Sequence, residues 1–140
     1  MTPGSEGPLA GIRVLEFASF IAGPYAGQLL ADLGADVVKV ESPEGGDPFR
    51  TFADSSYGPH FLAYNRNKRS VTVDLRSARG LEIARRLVRH CDVLVENSRP
   101  GVMHRLGFGY TTVSEWNPRI IYCSISGFGQ DGPAAHRPAY

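Results

Sequence analysis

Two runs, IRVLEF (residues 12–17) and DVVKVE (residues 36–41), bracket the segment GPYAGQLLADLG, and this arrangement leaves the chain few folds to choose from. Short apolar runs bounded by turn residues read as buried strands. Between them Gly23 suits an N-cap and Pro24 the first helical position, while Ala26, Leu29, Leu30 and Leu33 recur at the spacing of one helical face. Gly34 suits the left-handed position that closes a helix. A strand, a returning helix and a second strand form a parallel pair joined by a right-handed crossover.

The rest of the chain repeats the theme. Residues 42–58 are rich in Ser, Pro, Gly and Asp and form a long loop, the kind that tends to carry function. Residues 60–65 suit a short helix, and SVTVD (70–74) alternates like a strand. Residues 78–90 place Leu81, Ile83, Ala84, Leu87 and Val88 on one face of an amphipathic helix. DVLVE (92–96) is a strand, 101–106 a turn or two of helix, 112–117 a short helix capped by Thr112, and 120–126 the last strand. The order predicts an α/β fold, an open, mainly parallel sheet with flanking helices. Such sheets bind ligands at the carboxyl ends of their strands, here ASFIAGP, ESPEGGDPFR, DLRS, ENSRPG and SGFGQDGP.

Composition narrows the function classes. With 42% apolar and 21% charged residues the chain has the balance of a folded globular domain. A formal charge of +1 supplies no global field to favour nucleic acid or a membrane surface as partner. No apolar run reaches the roughly 20 residues of a membrane span, and MTPGSEGP lacks the parts of a signal peptide, so a cytoplasmic location is expected. Cys91 and Cys123 are too few for a disulfide scaffold and read as reduced, structural thiols. His60, His90, His104 and His136 lack metal-ligand spacing, and no metal is expected. No G-x-S-x-G elbow, P-loop or C-x-x-C is present.

Three stretches carry candidate binding chemistry. FIAGPYAGQLL is either a tight strand-to-helix turn or a helix start that receives an anion. A dinucleotide site is disfavoured there, because G-x-G-x-x-G is absent and Pro24 lacks the N–H a phosphate needs, although Glu41 ends the second strand where such folds keep a ribose-binding acid. YNRNKRSVTVDLR sets Arg66, Lys68 and Arg69 before a strand, as a solvated turn or a phosphate grip. VENSRPGVMHRLGFGY offers the Asn97 amide and the Arg99 and Arg105 cations, or simply a helix cap with surface arginines. Asp131 and His136 read as ordinary loop residues.

Together PLAGIRVLEFASFIAGPYAGQLLADLGADVVKVESPEGGDPFR, NKRSVTVDL, VENSRPGVMHRLGFGY, NPRIIYCSISGFGQDGP and RPAY resemble the class III CoA-transferase family, whose sister branch is the α-methylacyl-CoA racemases. The resemblance implies a Rossmann-like large domain, of which residues 1–140 are the amino-terminal part, a smaller second domain outside this chain, and an interlocked homodimer. It implies coenzyme A as ligand, with an acyl-CoA and a carboxylic acid acceptor as substrates. By resemblance, Ile21 and Ala22 lie along the pantetheine and thioester end, Val73 and Leu75 line the groove, and Asn97 and Arg105 meet the nucleotide. Lys68 and Arg69 are further phosphate partners by the same resemblance.

Two positions depart from relatives: Ser42 stands where some carry a basic residue, and Ile21 where the formyl-CoA transferases carry Gln. The implied mechanism passes through an aspartyl covalent intermediate. Racemases instead pair a His with an Asp. Tyr140, a further CoA-binding candidate by the resemblance, occupies the position of that His, which favours transferase over racemase or epimerase. The nucleophilic Asp is expected beyond Tyr140, so no catalytic residue is assigned here, and the 140-residue chain alone is expected to be inactive. A stand-alone CoA-binding module is the remaining alternative.

Overall fold

A computed structural model describes residues 6–52 and 58–139; Tyr140 lies outside the described residues. The chain runs β1 (Arg13–Phe17), α1 (Ala22–Asp32), β2 (Asp36–Glu41), a 3-10 turn (Pro48–Arg50), α2 (Pro59–Asn65), β3 (Arg69–Thr72), α3 (Ala78–Arg89), β4 (Val93–Glu96), α4 (Val102–Arg105), α5 (Tyr110–Trp116) and β5 (Ile121–Ser124). The five strands form one all-parallel sheet in the order β3-β2-β1-β4-β5. This is the α/β, Rossmann-like arrangement that the alternation of strands and helices predicts.

Alternation along the strands sorts side chains between two cores. Leu15, Phe17, Val40 and Leu94 face Ala84 and Val88 of α3, Met103 of α4 and Val113 of α5. Val14, Val37 and Val95 face Ala31 of α1 and Ala35. Phe108 is 2% exposed and packs against Phe17 and Trp116, with ring centroids 5.4 and 5.7 Å away. That anchor starts α5 directly after Gly109, earlier than expected, and Thr112 is not its cap.

The helix faces correct two expectations. On α3, Ala84 and Val88 are fully buried while Ile83 is 40% exposed. On α1 the buried residues are Gly23, Pro24, Gly27, Gln28 and Ala31, and Leu29 and Leu33 are left 46% and 47% exposed. The reason is close approach: a Cβ added at Gly27 would stand 2.0 Å from Glu16 Oε2. The helix presents its small residues to a charged part of the sheet, Leu30 packs on the Val14 and Val37 core, and Leu29 and Leu33 turn outward. Gly34, at φ +99°, follows α1 in a conformation that favours glycine, and a Cβ there would lie 2.2 Å from the Glu6 carbonyl oxygen.

Gly27→Ala is therefore expected to destabilise the chain by about 2 kcal/mol, within the range for overpacking, because the Glu16 carboxylate beneath it is held by ion pairs. Thermal denaturation measures this, and a wild-type midpoint would contradict it.

Candidate functional site

The strand order reverses direction between β1 and β4, and in such sheets the crevice at that point is where ligands bind. Its walls are the loops leaving the two strands. Asn97, just after β4, ties them together: its Nδ2 donates to the Ser19 carbonyl (2.9 Å) and its Oδ1 accepts from the Ser19 N–H (3.0 Å). Phe20 follows at φ +64°, an uncommon conformation for a residue with a side chain, and its N–H donates to Asp47 Oδ1 (3.2 Å).

Beneath this loop lies a cluster of buried charges. Glu16 and Lys39 stand side by side in the parallel register, 0% and 1% exposed. The Lys39 ammonium donates to Glu16 Oε1 (2.8 Å) and to the Ala18 carbonyl (2.6 Å), and meets Asp47 Oδ2 at 2.8 Å. Lys68, its side chain 2% exposed, reaches Glu16 Oε2 (2.7 Å), the Pro24 carbonyl (2.7 Å) and Asn65 Oδ1 (3.0 Å). Glu16 Oε2 and Asp47 Oδ2 accept no well-directed hydrogen bond, so their lysine contacts act through charge. Two carboxylates and two ammonium groups balance. Burial holds the Lys68 ammonium down at about 8 despite the raising effect of Glu16.

The Glu41 carboxylate accepts from Arg50 Nε (2.6 Å) and Nη2 (2.8 Å), from the Asp47 N–H (3.0 Å) and from the Ser70 hydroxyl. Burial pushes its pKa up, but these donors outweigh burial and bring it to about 2. Both of its oxygens are engaged within the chain.

Above the carboxyl ends of the strands lie two adjoining hollows of 420 and 320 Å³ that share Val40, Glu41, Ser42, Glu44, Leu75 and Leu106. The first extends to Ala18, Ser19, Asp47, Ser98 and Met103, the second to Val73, Asp74 and Arg76. Across the loop after β4, a 260 Å³ hollow is lined by Ala22, Asn97, Ser98, Arg99, Pro100, Ile125, Ser126, Gly127 and Ala139. Ser98 borders both sides.

Val73 and Leu75 thus line the groove, and Ala22 and Asn97 line the hollow beyond it. Ile21 is 47% exposed, and Arg105 is exposed at the end of α4. Lys68 and Arg69 line none of these three hollows. Lys68 is enclosed in the charged cluster, and Arg69, at the amino end of β3, pairs with Asp36 (Nε to Oδ1, 2.8 Å) away from the carboxyl edge. Arg76, not singled out from the sequence, stands exposed at the groove rim and pairs with Glu44 (2.7 Å) and Asp74 (3.2 Å). Its one signal was its place directly after the SVTVDL strand.

Comparison with known proteins agrees with this architecture. Residues 9–140 match the model of CoA-transferase family III. The chain is 47% identical to a succinate–glutarate CoA-transferase of Agrobacterium fabrum, covering 99% of this chain and 37% of that protein. It is 44% identical to an acetyl-CoA:oxalate CoA-transferase of Acetobacter aceti, covering 96% of this chain and 35% of that protein. A crystal structure of a CAIB/BAIF family protein from Brucella suis superposes with a TM-score of 0.89 at 48% identity, over 96% of this chain and 37% of that one. The chain spans little more than a third of the length of these relatives. It belongs to CoA-transferase family III.

Proposed function

We propose that this chain is the coenzyme A-binding part of an enzyme that moves CoA from an acyl-CoA thioester to a carboxylic acid. The observation that carries the reading is the groove across the sheet's reversal point. It runs from Arg76 and Leu75 past Ser98 to the hollow beside Ala22, a course that suits a long, flexible ligand with an anionic end and a reactive end. In this reading Arg76 and Arg105 face the phosphates and adenine, Val73 and Leu75 border the groove, and Ile21, Ala22 and Asn97 lie toward the thioester. Lys68 and Arg69 are left out, because Lys68 is enclosed in the buried cluster and Arg69 lies at the amino end of β3.

The chemistry proposed is carboxylate nucleophile catalysis. An aspartate oxygen attacks the thioester carbonyl, the C–S bond breaks, and CoA leaves as thiolate from a mixed anhydride. The thiolate then attacks the aspartyl carbon, releasing the first acid and leaving aspartyl-CoA. The acceptor carboxylate attacks that thioester, expelling CoA thiolate and forming a second mixed anhydride, and the thiolate attacks its acceptor-derived carbonyl to give the new acyl-CoA and free the aspartate. The hollow beside Ala22 has no Asp or Glu among its lining residues, so the nucleophile is proposed to come from outside the described residues. A homodimer belongs to the same proposal: Tyr25 and Leu29 on α1 and Leu33 just after it expose 46–48% of their surface, apolar area that a second subunit would cover.

Calorimetric titration with CoA tests the binding reading. Saturable micromolar binding is expected, and absence of binding overturns it. Incubation of the chain with succinyl-CoA and glutarate is expected to give no exchange; turnover would place the nucleophile among these residues.

A further inference from the structure

The groove does not explain why four ionised side chains are buried under α1. A buried ion pair is seldom more stable than an apolar replacement, and such groups can instead fix one arrangement of the chain. In the loop after β1 the cluster engages two backbone atoms. Lys39 Nζ donates to the Ala18 carbonyl (2.6 Å). Asp47, held by that same ammonium, accepts from the Phe20 N–H (3.2 Å) through Oδ1 and also from the Phe49 N–H (2.9 Å). Between these two anchors Ser19 has both its N–H and its carbonyl engaged by Asn97.

Three successive residues of one loop are thus fastened through their backbone by three side chains from β2, the loop after β2 and the loop after β4. The fastening holds Phe20 at φ +64°, and from Phe20 the chain enters Ile21 and Ala22. We propose that Lys39, Asp47 and Asn97 are positioning residues: they set the loop that presents Ile21 and Ala22 to the thioester end of the ligand. The inference rests on the CoA reading of the groove. It assigns Asn97 an indirect role through Ser19 rather than direct contact with the nucleotide.

Lys39→Met alone leaves an unbalanced buried carboxylate, so the test uses Lys39→Met/Asp47→Ala, which removes one charge of each sign and the acceptor of the Phe20 N–H while keeping the Glu16–Lys68 pair. Asn97→Ala cuts the other tie without touching the cluster. Amide hydrogen exchange at Ser19 and Phe20 is measured by NMR alongside the affinities for CoA and for adenosine 3′,5′-bisphosphate, the nucleotide portion alone. In both variants these amides are expected to exchange faster and CoA to bind about tenfold more weakly, with the bisphosphate bound within about twofold of wild type, since loss of positioning affects the part of a ligand it aligns.

Equal weakening of the two ligands, or unchanged exchange, overturns the positioning role. Failure of the wild-type chain to bind CoA removes the reading of the groove instead, and the exchange measurement still decides whether the ties hold the loop.

Discussion

Replacing Lys39 by methionine alone is expected to lower stability by about 3–5 kcal/mol, the range for removing one partner of a buried ion pair. Glu16 and Asp47 are 0% and 2% exposed, so neither carboxylate can turn to water when the ammonium is lost. Lys68 contacts only the other oxygen of Glu16. The change also strips the Ala18 carbonyl of its donor. Against a total stability of about 5–15 kcal/mol for a typical domain, that loss is large. Urea denaturation of Lys39→Met, Asp47→Asn and the double variant forms a cycle. The double variant should be less destabilised than Lys39→Met, because no carboxylate of Asp47 then remains uncompensated. Additive losses would show that the two groups do not interact and would remove the electrostatic account of the cluster.

The second large effect is at Glu41, and it depends on pH. Its pKa falls from 4.5 to about 2 because the Arg50, Asp47 and Ser70 donors outweigh the opposing effect of burial. The folded form therefore binds a proton less readily than the unfolded chain. The sign follows: the stabilisation is complete above about pH 4.5 and fades as the pH falls toward 2. At 1.36 kcal/mol per pKa unit it amounts to about 3 kcal/mol. Denaturation midpoints of the wild type should drop across that window, and Glu41→Gln should flatten this part of the profile while lowering stability at neutral pH. An unchanged acid profile in Glu41→Gln would show that other carboxylates govern acid unfolding.

Much of the fold was legible because it is written in local patterns. The runs around Leu15, Val38 and Leu94, the turn residues between them and the helical spacing of residues 78–90 specify elements whose order demands parallel strands. The loops at the carboxyl ends of the strands were legible too, since their sequences follow once the strands are known. The α1 face misled for a physical reason. Apolar spacing identifies the face that suits an apolar surface, but the surface beneath α1 includes Glu16, and only glycine fits at position 27.

Glu16 and Lys39 were read simply as members of strand runs. They become a pair only when β1 and β2 align in parallel register, and Lys68 and Asp47 join them from separate loops. The same limit applied to the basic cluster before β3: Arg66 pairs with Asp32, Lys68 with Glu16 and Arg69 with Asp36, all distant in sequence. By itself the sequence determined the strand and helix order, the parallel sheet and the loops at its carboxyl edge, because periodicity and turn chemistry act over a few residues. The tertiary structure alone decided which charges are spent on one another and which face the groove, because Coulomb attraction and burial depend on distances that exist only after the strands have paired.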